Sequence, residues 1–585
     1  MTGAVRPGCR WVEPTSIEEG AVRALRESLG LPALFCQLLV RRGCHDPEAA
    51  RGFLRPRLDG LPAASLLPDL AAAVSRIEKA IASGEPILVH GDYDVDGMTG
   101  AALLARGLEE LGGRVEAFVP HRLRDGYDLG PAGLRRADEL GARLIVTVDC
   151  GTTAHAAIAA ARAAARDVIV TDHHRPDVEL PAAIAVVNPH RADSGYPFRG
   201  LTGAGVAFKL LTALSRSAGR PEGMLNRHLD LVAIGTIADR GPLVDENRAL
   251  VRAGLRALAR TQNRGLWSLL LAARVAPFGG RVAADDVAFR LAPRLNAAGR
   301  VGAAEEGLRL LLTEDAAEAD ALASRLEDHN RRRRATDRQV TEEAEARLDE
   351  APPGPAVVLW SDDWHPGVIG IVASKLAART GTPAVVIAFD GDLGRGSARS
   401  AGGVNLIQVL DECAPLLERH GGHREAAGLD VRRERVEEFR QLFVREVARR
   451  AGQRLGRHAE DDPRAAGQPQ IDLEIDLEVT LEDAVGTIGR WMKYLEPFGY
   501  RNRRPILLTR GVRFDGPLRV GQDGSHVRAE LVGRGDVRLP TIGFGMGQRA
   551  EELRQGVWDV VFEPLEDHWR GRRRLQARLL DARRA

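Results

Sequence analysis

Ile87-Leu88-Val89-His90-Gly91-Asp92-Tyr93-Asp94-Val95-Asp96-Gly97 is the stretch from which the rest of the chain is read. The apolar run Ile87 to Val89 reads as a buried strand, and a helical pattern begins after Gly97 through Leu103, Leu104 and Leu108. An imidazole and three carboxylates therefore sit where a strand gives way to a helix. In an extended chain residues two apart point the same way, so Asp92, Asp94 and Asp96 can converge on one point. Three close carboxylates repel one another unless a cation neutralises them, and a divalent metal is the usual answer.

Asp-x-Asp-x-Asp-Gly also opens a calcium loop of the helix–loop–helix kind, which closes with a bidentate Glu at its twelfth position. Counted from Asp92 that position is Leu103, and the element before the loop is a strand, so calcium is set aside. Further strand-like runs follow at Val115–Val119, Leu144–Val148, Val168–Thr171 and Ile184–Val187, with helical runs between them, and this alternation means a parallel α/β sheet. Sites in such sheets form at the carboxyl ends of strands. Leu144–Val148 is followed by Asp149-Cys150-Gly151, and Val168–Thr171 by Asp172-His173-His174. Asp239 ends the apolar stretch Leu231–Ala238. Singly, each acid reads as a helix cap and the two histidines as surface residues. Jointly, Asp, His and Asp from separate strands meeting on one edge are how a metal site is assembled. Carboxylates with imidazole and no thiolate favour manganese or magnesium over zinc or copper. There are enough ligands for two ions, which about 3.5–4 Å apart clamp the attacking and leaving oxygens of a phosphoryl displacement.

At 585 residues the chain is too long for one ordinary domain, and three or four are expected. Apolar content of 44% supports real cores, while aromatics at 4% make those cores rich in Leu, Val and Ala. A formal net charge of +1 excludes a globally basic or acidic protein, so any polyanion site must be local. Cys9, Cys36, Cys44, Cys150 and Cys413 lie far apart with no C-x-x-C pair, which fits a reducing compartment rather than a disulfide framework. Met1 to Arg10 lacks an apolar signal core and no run of about 18 apolar residues occurs, so a soluble cytoplasmic protein is expected.

The flanking sequence completes the organisation. Trp11 to Leu58 reads as short helices, with Phe35, Leu38 and Leu39 on an apolar face. Ala303 to Ala351 turns charged and helical, and Arg331-Arg332-Arg333-Arg334 reads as its solvated face, a bridge between domains. A second α/β unit starts at Ala356. It carries Trp364 to Gly370, Gly394-Arg395-Gly396-Ser397-Ala398-Arg399-Ser400 and Gly421-Gly422-His423-Arg424-Glu425. Glycines flanking Ser and Arg let backbone N–H groups surround an oxyanion, and Arg adds a bidentate fork for phosphate. Arg449 to Gly467 reads as a linker. Beyond it, five or six short strands in about a hundred residues suggest a small barrel of the oligonucleotide-binding outline.

His90-x-x-x-Asp94-x-Asp96, Thr147-Val148-Asp149, Asp172-His173-His174 and Gly235-Thr236-Ile237-Ala238-Asp239 resemble the four signature motifs of the DHH phosphoesterase superfamily. The form Gly91 to Gly97 is similar to that of its RecJ branch, single-strand-specific 5′ exonucleases. The resemblance implies one metal on His90, Asp94 and Asp149 and a second on Asp96, Asp149, His173 and Asp239, with Asp149 bridging. It implies catalytic roles for Asp92, which supports the site, for His174, which faces the phosphate, and for His423, which lines the cleft. It also implies that Ser397 and Arg399 hold the terminal phosphate and that Arg122 adds a further contact.

The implied fold class is α/β: a parallel-sheet DHH catalytic domain, a long helical linker, a second α/β DHH-associated domain and a C-terminal oligonucleotide-binding β-barrel. The boundaries read as an N-terminal helical lead over 1–58, the catalytic domain over 59–302 and a connecting helix over 303–351. The phosphate-anchoring domain follows over 352–448, then the linker over 449–467 and the barrel over 468–585. The expected activity is metal-dependent 5′ to 3′ hydrolysis of single-stranded DNA in repair and recombination, with two divalent ions, Mn2+ or Mg2+. Expected partners are single-stranded DNA, a single-strand-binding protein and a helicase; no membrane is involved and the protein is a monomer. The alternative substrates are short oligonucleotides or cyclic dinucleotides, for which a long-strand barrel has no use. A non-catalytic scaffold is disfavoured because every expected ligand is present. After Glu496-Pro497-Phe498-Gly499 the chain departs from the family, with Arg501 where glycine is usual and Arg503 where proline is usual.

Overall fold

A computed structural model describes residues 9–122, 124–221, 223–275, 280–301, 304–350, 354–458, 472–521, 523–569 and 572–585. Two compact units divide the chain, Met1–Glu327 with Asp472–Ala585 in one and Asp328–Ile471 in the other. In the first unit the expected parallel sheet is present. Its five strands lie in the order Arg114–Phe118, Pro86–Gly91, Leu144–Val148, Asp167–Thr171 and Ala185–Val187, every neighbouring pair parallel. The inner strands are buried almost end to end, which is why they read as continuous apolar runs rather than alternating ones. From Pro86–Gly91 the chain crosses first to one neighbour, Arg114–Phe118, and then to the other, Leu144–Val148. This reversal opens a crevice at the carboxyl ends of Pro86–Gly91 and Leu144–Val148.

The apolar run before Asp239, grouped with the strand ends from sequence, folds instead as the helix Leu229–Ala238. It is buried from Leu229 to Ile237 and apolar on all sides. A helix buried all round has no periodic face, so pattern alone does not separate it from a buried strand. Asp239 therefore enters the crevice from a helix C-terminus.

The first residues fold as helices Glu19–Leu29, Ala33–Arg41 and Pro47–Leu54, preceded by a strand Arg10–Val12 that the sequence pattern did not indicate. That strand pairs in parallel with Asp472–Glu474. Leu25, Phe35, Leu38 and Leu39 share one core with Leu507, Phe514 and Trp558, so these helices and the C-terminal strands bury each other. The C-terminal strands close into a five-stranded barrel. Leu507–Val520 pairs with His526–Val532, that with Arg538–Gly543, that with Arg572–Arg584, that with Trp558–Trp569, and the last returns to Leu507–Val520.

The charged helical stretch is two helices, Ala304–Leu312 and the 35-residue Ala316–Glu350, because Thr313 and Asp315 break it. Asp315 accepts from the Glu318 N–H at 2.7 Å and starts the second helix. The other unit is a five-stranded mixed sheet in the order Leu417–Gly422, Ala426–Arg432, Leu393–Arg399, Ala384–Asp390 and Val357–Ser361. Its last helix, Val436–His458, runs ten residues into the stretch read as a linker; 459–467 lie outside the described residues, as do 1–8 of the N-terminal stretch and residues 303 and 351–353 at the bounds of the connecting helix. Among the described residues no helix is long and apolar enough to cross a membrane.

The two departures near the barrel leave the turn intact. Arg501 adopts φ 60°, the left-handed conformation that glycine takes freely. Asn502 locks the turn by donating to the carbonyls of Leu495 at 2.8 Å and Pro497 at 2.7 Å, and Arg503 reaches Asp476 at 3.1 Å. A side chain at left-handed φ costs about 1–2 kcal/mol, offset in part by the extra unfolded-state freedom of glycine, about 0.5–1 kcal/mol. Arg501→Gly is therefore expected to raise the urea midpoint of the full-length protein by a stabilisation of about 0.5–1 kcal/mol. A lower midpoint would show that the Arg501 side chain contributes more than its backbone costs.

Candidate metal centre

Three aspartates stand one residue beyond the sheet, each continuing its ladder. The N–H of Asp92 donates to the Val148 carbonyl at 3.2 Å, that of Asp149 to Thr171 at 3.0 Å, and that of Asp172 to Val187 at 3.2 Å. The three carboxylates are thereby set level along one sheet edge. Asp94 and Asp96 belong to the helix Val95–Glu110 that follows. Asp94 caps it, one oxygen accepting from the N–H groups of Asp96 at 2.9 Å and Gly97 at 3.1 Å. Asp96 is buried and accepts from the N–H groups of Gly203 at 2.6 Å and Ala204 at 3.1 Å and from the Thr202 hydroxyl at 3.1 Å. It so caps the helix Gly203–Ser217, whose positive end favours an anion.

These approaches depend on two glycines. A Cβ on Gly235 would stand 2.5 Å from both the Asp96 carboxylate and the Thr99 hydroxyl, and one on Gly203 would stand 2.4 Å from Asp149 Cβ. The glycine of the Gly235-to-Asp239 motif thus makes room for a carboxylate on the neighbouring helix.

His173 Nε2 lies 2.9 Å from Asp149 Oδ1, 3.7 Å from Asp239 and 3.9 Å from Asp96. The first approach lacks the angle a hydrogen bond requires, and both atoms are buried without a hydrogen-bond partner. Asp92 Oδ1 and His90 Nε2 share that condition. Buried polar atoms are rarely left unsatisfied, and those of Asp92, Asp149 and His173 in one crevice fit a site that a cation completes. The ligand atoms of Asp92, Asp94 and Asp149 lie within 4.8 Å of one another, as do those of Asp96, His173 and Asp239, and those of Asp149, His173 and His174. Asp149 belongs to two of these groups and His173 to two.

His90 stands outside all three groups. Its ring packs under the helix Pro131–Leu140, where a Cβ on Gly133 would come within 2.4 Å of it, and its Nδ1 lies 3.7 Å from the Cys150 thiol. Burial pushes its pKa down to about 4. Burial and then neighbouring carboxylates raise the others: Asp96 to about 7, Asp239 to about 8, and Asp92 and Asp149 well above the ordinary range. Carboxylates held this close ionise together only when a positive charge joins them.

The two adjacent histidines are driven apart. Burial, then the charge of His174, pushes His173 down to about 3, leaving a neutral imidazole suited to ligation. For His174 burial is outweighed by the hydrogen bond from Nδ1 to Asp172 at 2.8 Å and by the charge of Asp172, and its pKa rises to about 9. Asp172 itself is buried and accepts also from the N–H groups of His173 at 2.7 Å, His174 at 3.1 Å and Thr152 at 3.0 Å. Asn188 donates to the His174 carbonyl at 2.8 Å. The positioning roles of Asp172 and Asn188 were not read from sequence. For Asp172 the signal was there, an acid one residue beyond a strand and directly before two histidines.

The remaining expected residues lie around this edge or in the other unit. Arg122 sits 5.1 Å from the centroid of the Tyr93 ring, and the Tyr127 hydroxyl lies 3.3 Å from His174 Nδ1. In the second unit Arg399 donates to the Ser397 hydroxyl at 2.9 Å on the strand Leu393–Arg399. Both side chains lie against the first turn of the helix Ile369–Thr380, where a Cβ on Gly370 would be 3.0 Å from each. His423 is exposed just after the strand Leu417–Gly422, its N–H donating to Ala426 at 2.7 Å.

Three family models match this chain: the DHH family, N-terminal domain, over residues 86–236, the DHHA1 domain over 354–449, and the RecJ OB domain over 475–581. The single-stranded-DNA-specific exonuclease RecJ of Bacillus subtilis is 35% identical, over 98% of this chain and 70% of its own length. That of Thermus thermophilus is 39% identical, over 84% of this chain and 71% of its own. The crystal structure of RecJ in complex with Mn2+ from Thermus thermophilus gives a TM-score of 0.82 at 32% identity, covering 99% of this chain and 80% of that one.

Because the folded pKa of His174 lies above its ordinary value of 6.5, its link to Asp172 stabilises the fold fully below pH 6.5, and that stabilisation is lost as pH rises through about 9. In metal-free Asp172→Asn protein the titration midpoint of His174, followed by imidazole NMR, is expected to fall from about 9 to 6.5 or lower. The share of the pH dependence of stability that His174 contributes between those values should disappear with it. A midpoint unmoved by the substitution would mean that another group holds the proton.

Proposed function

The chain belongs to the RecJ family of single-stranded-DNA-specific exonucleases, and on that premise we propose that it hydrolyses single-stranded DNA from the 5′ end toward the 3′ end, in repair and recombination. The observation that carries the reading is the crevice in which five aspartates and His173 converge, with buried donor atoms that no protein group satisfies. Asp92, Asp94 and Asp149 hold one divalent ion, with His90 as the further donor expected from the motif. Asp96, His173 and Asp239 would hold the second, with Asp149 near enough to both sets to be shared. The ions are Mn2+ or Mg2+, as the oxygen and imidazole donors favour. When bound, they supply Lewis-acid polarisation of the phosphate and a nucleophilic water at neutral pH.

The chain's own residues do the rest. His174, kept protonated by Asp172, faces the scissile phosphate and donates a hydrogen bond to its oxygens. Asp172 positions both histidines through their backbone N–H groups, so the ring orientations are fixed before substrate arrives. Arg122 adds positive charge beside Tyr93. Ser397 and Arg399 bind the terminal 5′ phosphate, supported by the N-terminal turn of the helix Ile369–Thr380, and His423 lines the path of the strand. The C-terminal barrel grips the following nucleotides by stacking and phosphate contacts. That barrel favours long strands over short oligonucleotides or cyclic dinucleotides. The protein acts as a monomer in the cytoplasm, alongside a single-strand-binding protein and a helicase; the buried thiols of Cys9, Cys36, Cys44, Cys150 and Cys413 agree with a reducing compartment.

Two substitutions test this. Asp149→Ala should lower hydrolysis of 5′-labelled single strands by about a thousandfold or more, the several kcal/mol that bound ions contribute, while strand binding survives. Activity within about tenfold of wild type would remove Asp149 from the site. Arg399→Ala should cut the preference for a 5′-phosphorylated over a 5′-hydroxyl strand by about tenfold, the worth of a charge-assisted hydrogen bond. An unchanged ratio would place the phosphate elsewhere, and label released first from 3′-labelled strands would reverse the polarity.

A further inference from the structure

We propose a second phosphate-binding site, for a nucleoside phosphate, in a cleft lined by none of the residues assigned above to the metal centre or the terminal phosphate. The cleft has a volume of about 790 Å³ and lies within the first unit, between Arg227, the helix Asp245–Leu258 with the segment after it, residues 280–285, and the residues that lead into the barrel. Among the described residues seven cationic side chains line it against two acidic ones, in a chain whose formal net charge as a whole is only +1. The two acids are already engaged, Asp285 with Arg504 at 2.6 Å and Glu496 with Arg281. Arg227 is paired with Glu110 at 2.5 Å. Among the described residues Arg256, Arg260 and Lys493 have no ion pair, and all three are exposed to the cleft's solvent.

The spacing makes this arrangement costly without a ligand. Arg252 and Arg256 lie four residues apart on one helix, with Arg260 just past its end, and like charges at that spacing repel. Burial, and then the charge of Arg256, lowers the proton affinity of Arg252, whose guanidinium is turned to the Leu54 carbonyl at 2.6 Å. An anion among these groups would relieve what no carboxylate among the described residues relieves.

Size and chemistry narrow the anion. The volume falls in the range of small-ligand sites, about 300–1,000 Å³, and is far more than a lone phosphate fills. Guanidinium forks match the paired oxygens of phosphate. Half-buried Tyr494 also lines the cleft and gives an aromatic surface on which a base packs. An acidic peptide would satisfy the charges and leave that surface without a partner. Two sources share the chemistry: a free nucleotide and a nucleotide within a DNA strand.

The probes are ADP and a 20-residue oligothymidine, titrated against full-length protein in EDTA so that no strand is cut. In Arg256→Ala/Arg260→Ala/Lys493→Ala protein, ADP affinity is expected to fall by about tenfold or more, as when charge-assisted contacts are lost. Loss of ADP binding identifies the free nucleotide as the ligand; loss of oligothymidine affinity alone identifies the strand. Unchanged binding of both overturns the proposal. So does ADP binding that survives the triple variant but is lost in Arg399→Ala, or a triple variant that loses only binding to a polyglutamate peptide. Should the triple variant fail to fold, Arg256→Ala and Arg260→Ala, each expected to cost several-fold in affinity, decide the matter by the same readings.

Discussion

Five carboxylates, those of Asp92, Asp94, Asp96, Asp149 and Asp239, share one crevice, and their mutual repulsion is the constraint around which this fold is arranged. A parallel sheet meets it by presenting every strand tip on a single edge, where each aspartate N–H is spent on the adjacent strand. Helix ends supply the compensating dipoles. Asp96 lies on the positive end of Gly203–Ser217, and Asp94 on that of its own helix. Close packing of Gly203 and Gly235 then lets the helices bring these groups within reach of one another without a Cβ between them.

The neighbouring imidazoles show how one sequence triplet serves two purposes. His173 turns toward carboxylates that need a cation and is kept neutral; His174 turns toward Asp172 and is kept charged. Opposite shifts at adjacent positions follow from which side of the strand tip each ring faces. Pairs of titratable groups driven apart in this way mark the division of chemical roles in an active site. Asp172 sets this difference through its hydrogen bonds to His173 and His174.

What the sequence made legible was local. Strand, acid and glycine occur together in Ile87–Gly97 and again around Asp149, and strand and acid occur together at Asp172, so each motif carries its own positioning device within a few residues. Asp239 was readable as a site residue, but its element was not, since Leu229–Ala238 has no polar side to mark it as a helix. The separation of His90 from the clustered ligands depends on Gly133, over forty residues away, and no spacing rule reports it. The left-handed turn at Arg501 was flagged by the residue's mismatch with the family, whereas its integrity rests on the amide of Asn502. The shared core of the N-terminal helices and the barrel joins residues hundreds of positions apart and had no signature in either segment.

That shared core bears on biosynthesis. Arg10 and Asp472 are 462 positions apart, yet they are hydrogen-bonded at 2.9 Å. At about 5–20 residues per second, translation separates their emergence from the ribosome by roughly half a minute to a minute and a half. During that interval Phe35, Leu38 and Leu39 lack the barrel half of their core, while the sheet and the second unit can already fold behind them. These helices are thus made before the sheet, the second unit and the barrel, yet complete their core only with the barrel, and in the nascent chain they are the natural ligand for a chaperone.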